Sequence, residues 1–257
     1  MTLENLERQL QSLEKGSCFI LRDDCYDLTE LEQILEQATT RKLKIALIDS
    51  GKLAPVDLER LADFYFSFYT SDTARADFQV LSQLALRPKG CRLAYFIQGQ
   101  LQSLPDLFAN LELFDSIVIS SRDQARPLDQ LDRLAEEISR SHTALVYYHH
   151  QSLEENLASI GLKNCWIHLS SRNFNEDSEI MILDLLKNIR KNKGRLVVHV
   201  DRSLSYPFLK ELEEAGAFLV FNLPPVEPAS RIFQLVKTWQ KKKLPETAFY
   251  LYKEIMA

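Results

Sequence analysis

Three of the five histidines in this chain, His149, His168 and His199, fall at or near the ends of consecutive apolar runs. Side chains alternate faces along an extended strand, so His199 and Asp201 share a face, as do His168 and Ser170. An imidazole beside a carboxylate can move protons, and His199 with Asp201 is the expected proton-transfer pair, supported by His168. No cofactor is expected. A divalent metal held by the three histidines and the aspartate is the alternative, although no H-x-H, no H-E-x-x-H and no carboxylate-rich cage occurs. Arg22, Arg122, Arg172 and Arg202 also follow apolar runs, and planar guanidinium groups suit phosphate or carboxylate. With Ser121 and Ser171 they form the expected ligand-binding set for a small anion. The competing reading pairs Arg22 with Asp23, Arg122 with Asp123 and Arg202 with Asp201, in a solvated rim of little energetic worth.

Other chemistry is less supported. Cys25 follows R-D-D, and the neighbouring aspartates oppose the thiolate that a nucleophile needs. The basic runs Lys187–Arg195 and Lys237–Lys243 end expected helices, where cations complement the helix dipole. A radical-SAM C-x-x-x-C-x-x-C is absent, as is the strand-end lysine of a pyridoxal-phosphate barrel. L-R-D-D at Leu21–Asp24 resembles the T-L-R-D-G opening of the pyruvate-carboxylating lyase family over four residues. The H-x-H of that family has no counterpart here, and no family is identified.

The elements that must position these residues recur. I-S-S-R-D (Ile119–Asp123) is echoed by L-S-S-R-N (Leu169–Asn173), and its equivalents are I-L-R-D-D (Ile20–Asp24), F-Y-T-S-D (Phe68–Asp72) and L-V-F-N-L (Leu219–Leu223). The starts lie 48, 51, 50 and 50 residues apart. Midway fall Lys44–Asp49, Arg92–Gln98, Thr143–His149 and Arg195–Asp201. Short continuous apolar runs of this kind read as strands of a parallel sheet, buried on both faces. Between them stand helix signals: capping boxes at Asp27–Glu30 and Ser152–Glu155, and Pro55, Pro105, Pro127 and Pro207 in opening turns. Gly16, Gly90, Gly161, Gly194 and Gly216 precede strands and are expected as left-handed helix caps. Few glycines remain for a phosphate cradle.

The unit is β-α-β-α, about 50 residues long and written four times, followed by a ninth strand. Right-handed crossovers lay successive strands side by side, and eight close a barrel. The expectation is a TIM-type (β/α)8 barrel or a close variant, with one run outside it. The alternative is a doubly wound or curved open parallel sheet. Residues 1–257 are read as a single α/β domain, with a leading helix over 1–15, repeated units over 16–223 and closing helices over 224–257.

The net charge of −5 argues against a nucleic-acid partner. No apolar run reaches the ~18 residues of a membrane span, and the amphipathic N-terminus lacks the apolar core of a secretion signal. The four cysteines show no C-x-x-C, and a cytoplasmic location is expected. L-P-E-T-A (Leu244–Ala248) lacks the glycine of the sortase signal. The functional expectation is an enzyme-like barrel acting on or binding a small anionic metabolite, by lyase, isomerase or hydrolase chemistry. The alternative is a non-catalytic regulatory or scaffolding barrel. It would bind a protein partner, or another copy of itself, through the tail P-E-T-A-F-Y-L-Y-K-E-I-M (245–256).

Overall fold

A computed structural model describes residues 3–16, 18–86, 91–99, 106–122, 125–153, 155–175 and 178–222. All nine apolar runs are strands: β1 (Cys18–Arg22), β2 (Lys44–Ile48), β3 (Ser67–Ser71), β4 (Arg92–Ile97), β5 (Ser116–Ser120), β6 (Ala144–His149), β7 (Cys165–Ser170), β8 (Arg195–Val200) and β9 (Phe218–Phe221). They lie in one sheet in chain order, β1 to β9, which fits an open parallel α/β fold. Their apolar character follows from burial on both faces. Leu196, Val197, Val198 and His199 of β8 are successive residues without solvent exposure.

The chain divides into two compact units, Met1–Ile117 and Val118–Ala257, with the boundary inside β5. In the first unit β1 to β4 pair in parallel, as in Cys18 opposite Lys44 and Ser67 opposite Arg92. Helices α1 (Leu3–Ser12), α2 (Leu28–Arg41), α3 (Pro55–Leu61) and α4 (Phe78–Ala85) accompany them. The expected capping box at the start of α2 is present: Asp27 Oδ1 accepts from Glu30 N–H at 2.9 Å, and Glu30 Oε2 accepts from Asp27 N–H at 2.9 Å. A cap of this kind contributes about 1 kcal/mol. In the second unit β6 to β9 pair in parallel, with α5 (Leu128–Arg140), α6 (Ser178–Lys191) and α7 (Tyr206–Glu214). Helix α5 buries Leu131, Leu134, Ala135 and Ile138, the helical spacing of one apolar stripe.

Two expectations about the connections are corrected. The segment after Ser152 forms a six-residue 3-10 turn over Glu155–Ile160. It crosses back between β6 and β7 too briefly for an α-helix, burying Leu157 and Ile160. Gly161 and Gly194 are not left-handed caps, unlike Gly16 and Gly216. They are small because the backbone passes closely: a Cβ on Gly194 would lie 2.2 Å from the Gly161 carbonyl oxygen. Left-handed geometry nearby falls on Asn164 and Lys193. Gly90, Pro105, Asp123, the Lys237–Lys243 run, L-P-E-T-A and the closing helices expected over 224–257 lie outside the described residues. No helix among the described residues is long and apolar enough to cross a membrane.

Candidate functional site

The strand ends show what the repeated polar residues do. Asp23, just past β1, accepts the Ser50 N–H at 2.8 Å through Oδ1. Asp72, just past β3, accepts from Gln98 N–H at 2.9 Å and Gly99 N–H at 2.7 Å. Ser121 Oγ, past β5, accepts the His150 N–H at 2.9 Å. Ser171 Oγ, past β7, accepts the N–H groups of Asp201 at 2.8 Å and Arg202 at 3.0 Å. In each case the side chain takes up a donor exposed where the next strand ends, so the strand leaves the sheet without an orphaned N–H. In S-S-R, the first serine caps locally, since Ser120 and Ser170 accept from Arg122 N–H at 3.1 Å and Arg172 N–H at 3.2 Å. The second serine caps its neighbour.

Strands β7, β8 and β9 bring together the expected proton-transfer residues. The register sets Ser170 opposite His199. His168 Nδ1 and His199 Nε2 are 2.9 Å apart, with rings stacked at 5.2 Å and 28°. The Tyr148 ring lies 4.4 Å from His168. Asp201 is held by Ser170, whose hydroxyl donates to Oδ2 at 2.7 Å, and by Asn222 Nδ2, which donates to Oδ1 at 2.8 Å. Asn222 Nδ2 also lies 3.5 Å from His199 Nδ1. An amide nitrogen donates, so His199 Nδ1 accepts, its proton sits on Nε2, and His168 Nδ1 receives it. The polar chain therefore runs from Ser170 and Asp201 through Asn222 and His199 to His168.

Its electrostatics favour a neutral His199. Burial pushes His199 down to about 4, against the Asp201 carboxylate that favours the charged form, with His150 adding to the fall. His199 has no solvent exposure and His168 has 1%. Asp201 and Asn222, half-buried, are the solvent-facing end.

The arginines fare differently. Arg22 pairs with Asp24 rather than Asp23, at 3.0 Å and with both side chains substantially exposed. Asp23 is wholly buried, and desolvation raises its pKa. Arg202 donates from Nη2 to the Phe174 carbonyl at 2.6 Å, while Asp201 is taken by Ser170 and Asn222. Arg122 and Arg172 are exposed. Cys25 is exposed, with its sulfur 3.6 Å from Asp24 Oδ1. Among the described residues no group of three or more His, Cys, Asp or Glu side chains could hold a metal ion.

Two further clusters join residues that the sequence did not bring together. In the first unit Arg75 forks onto Asp49, Nε to Oδ2 at 2.7 Å and Nη2 to Oδ1 at 3.1 Å. Thr70 donates to Asp49 Oδ2 at 2.7 Å. This carboxylate is fully buried and fully partnered, an arrangement that ties strand ends together. In the second unit a cavity of about 260 Å³ opens beside the ends of β5 and β6, lined by Arg126, Leu128, Tyr147, His149, Gln151 and Leu157 among others. Arg126 is 8% exposed and donates from Nε to the Ser120 carbonyl at 3.0 Å. His149 Nε2 meets the Ser152 carbonyl at 3.0 Å, and its Nδ1 meets the Tyr147 hydroxyl at 3.2 Å. A carbonyl only accepts, so Nε2 carries the proton and Nδ1 takes the tyrosine proton. The signal for this site was present in the sequence: Arg126 and His149 both follow apolar runs, but only their side-chain directions unite them.

Fold and site together define a parallel α/β protein with polar strand ends and, in its second unit, an arginine-lined cavity beside the ends of β5 and β6. A scan against protein-family models and a search of the curated proteins each found no match to this chain.

Proposed function

We propose that the protein binds a small anionic metabolite at the carboxyl ends of its parallel strands, in the cavity beside Arg126 and His149. The observation that carries the reading is a nearly buried guanidinium in the wall of a cavity that also has apolar sides. Ligand sites in parallel α/β folds lie outside the carboxyl ends of the strands, and a few fixed polar groups among apolar ones orient a ligand. In this reading Asp201, held by Ser170 and Asn222, is the point at which the buried imidazole chain exchanges a proton with the rim, and Arg172 and Arg202 add positive charge there. The recurring caps at Asp23, Asp72, Ser121 and Ser171 support a fourfold β-α-β-α repetition. A closed (β/α)8 barrel is not required.

The test is calorimetric titration with a panel of small phosphates and carboxylates, alongside native mass spectra of the protein as purified. Binding to the intact protein that falls at least tenfold in Leu128→Trp, which fills the cavity mouth, supports the proposal. Absence of binding across the panel, or binding indifferent to that change, overturns it. The second reading is a non-catalytic scaffold. It is favoured by the Ser121 and Ser171 hydroxyls, which are engaged with backbone, and by burial of both imidazoles.

A further inference from the structure

We infer that the outward face of α6 is an interface between two copies of this chain, paired antiparallel about Leu183. Helix α6 turns Ile182, Leu185, Leu186 and Ile189 into the core. Its other side is not uniformly polar: Ile180 is 73% exposed, and Met181 beside it is exposed as well. On that side Glu179, Leu183 and Lys187 stand four residues apart, so they follow one another along the helix surface. Glu179 and Lys187 are exposed, with the half-buried Leu183 midway between them. Among the described residues neither Glu179 nor Lys187 has an ion-pair partner. An evenly spaced order of acidic, apolar and basic residues is complementary to its own reverse. A second copy laid antiparallel sets Leu183 on its counterpart and each Glu179 on the other copy's Lys187, whereas a parallel copy opposes like charges. A twofold dimer uses the same patch on both subunits, and this stripe meets that requirement. Eight residues of helix, about 12 Å along the axis, separate the two charges. The two ion pairs therefore stand on either side of the leucines, where they set register and orientation more than affinity.

A groove completes the face. It lies between α6 and α7 with a volume of about 560 Å³, and Leu183 and Ala215 line it together with Lys187, Lys191 and Glu211. Arg190 donates to the Ala215 carbonyl, which ties the end of α7 to α6 and holds the groove in shape. In the antiparallel register Ile180 of one copy falls opposite Lys187 of the other, at this groove. There Leu183 and the aliphatic stem of Lys187 offer apolar surface. Symmetry makes the same contact twice. The face shares no residue with the lining of the Arg126 cavity, and the pairing stands whether or not that cavity binds an anion.

An interface of one helix pair and its groove is small, so a weak dimer that dissociates in the micromolar range is expected. Sedimentation velocity of the full chain over a concentration series should show a monomer–dimer equilibrium. Ile180→Asp should weaken the dimer about tenfold or more, because it carries a charge into an apolar contact. Glu179→Lys and Lys187→Glu should each weaken it about tenfold, since symmetry turns two attractions into two repulsions. The double variant, Glu179→Lys with Lys187→Glu, should restore wild-type association. All three positions are exposed, and an aspartate suits the first turn of a helix, so circular dichroism should find every variant folded. A dimer indifferent to Ile180→Asp overturns the assignment of this face, and a double variant as weak as either single one overturns the antiparallel register. A monomer at every concentration overturns the proposal as a whole. If Ile180→Asp then also lowers the melting temperature of that monomer, the face is covered by another part of the same chain.

Discussion

Acid should destabilise the second unit through His199, and the amount follows from its surroundings. The residue has no solvent exposure, and burial holds its folded pKa at about 4 against a usual 6.5. As pH falls through 6.5 the unfolded chain takes up a proton that the folded protein refuses, so stability is lost between 6.5 and 4 and is constant above that window. A full shift of this size is linked to about 3 kcal/mol, of which about 2 kcal/mol is lost between pH 7.5 and 5.0. The perturbation is His199→Gln, which removes the titration and keeps a polar side chain of similar length. The variant starts less stable by about 1–3 kcal/mol, because His168 loses its partner, so the slope against pH is the quantity compared. Urea unfolding followed by Trp166 fluorescence, in a Trp239→Phe background, reads the unit directly, since Trp166 lies on β7 two residues from His168. Wild type should lose about 2 kcal/mol more than the variant between pH 7.5 and 5.0. Equal slopes would refute the reasoning, and with it the buried, neutral state of His199.

Two further outcomes follow from the strand ends and the thiols. Ser171→Ala leaves the Asp201 and Arg202 N–H groups without their acceptor and should cost about 1–3 kcal/mol by urea denaturation. The exposed neighbour change Ser203→Ala should stay within about 0.5 kcal/mol, and equal effects would deny the cap its role. Of Cys25, Cys91 and Cys165, only Cys25 is exposed, while burial pushes the Cys165 thiol up to about 12. A thiol reagent followed by peptide mapping should label Cys25 before Cys91 and Cys165, and early labelling of Cys165 would contradict its burial.

The strands were legible because burial on both faces removes the alternation of a half-exposed strand and leaves unbroken apolar runs, as in L-V-V-H-V of β8. The capping box at Asp27 was equally legible, being a local matter of four residues. The connection after Ser152 was not: its S-L-E-E pattern is a helix start, but six residues between two strand ends decide for a 3-10 turn. Gly161 and Gly194 were placed at the right turns for the wrong reason, since a close backbone approach between distant residues leaves no mark on either neighbourhood. The alternation of faces set His199 with Asp201 and His168 with Ser170, whereas the bonds run across strands, from His168 to His199 and from Ser170 to Asp201. It could not foretell Asn222, whose contribution depends on the β8–β9 register, nor the Arg126 cavity, which depends on where a loop arginine folds back.

The strand order bears on how the chain comes to be folded. Each described pairing joins residues between 20 apart, as in Leu145 with Cys165, and 29 apart, as in Trp166 with Arg195. Every strand thus docks on one synthesised shortly before it, and none must wait for a later segment to provide its inner edge. Loop-closure entropy is nearly the same at each step, because it grows only with the logarithm of the loop length. At about 5–20 residues per second of synthesis, one new strand emerges every few seconds onto a sheet edge already formed. Growth by addition at a single moving edge keeps few unpaired strands waiting on the ribosome.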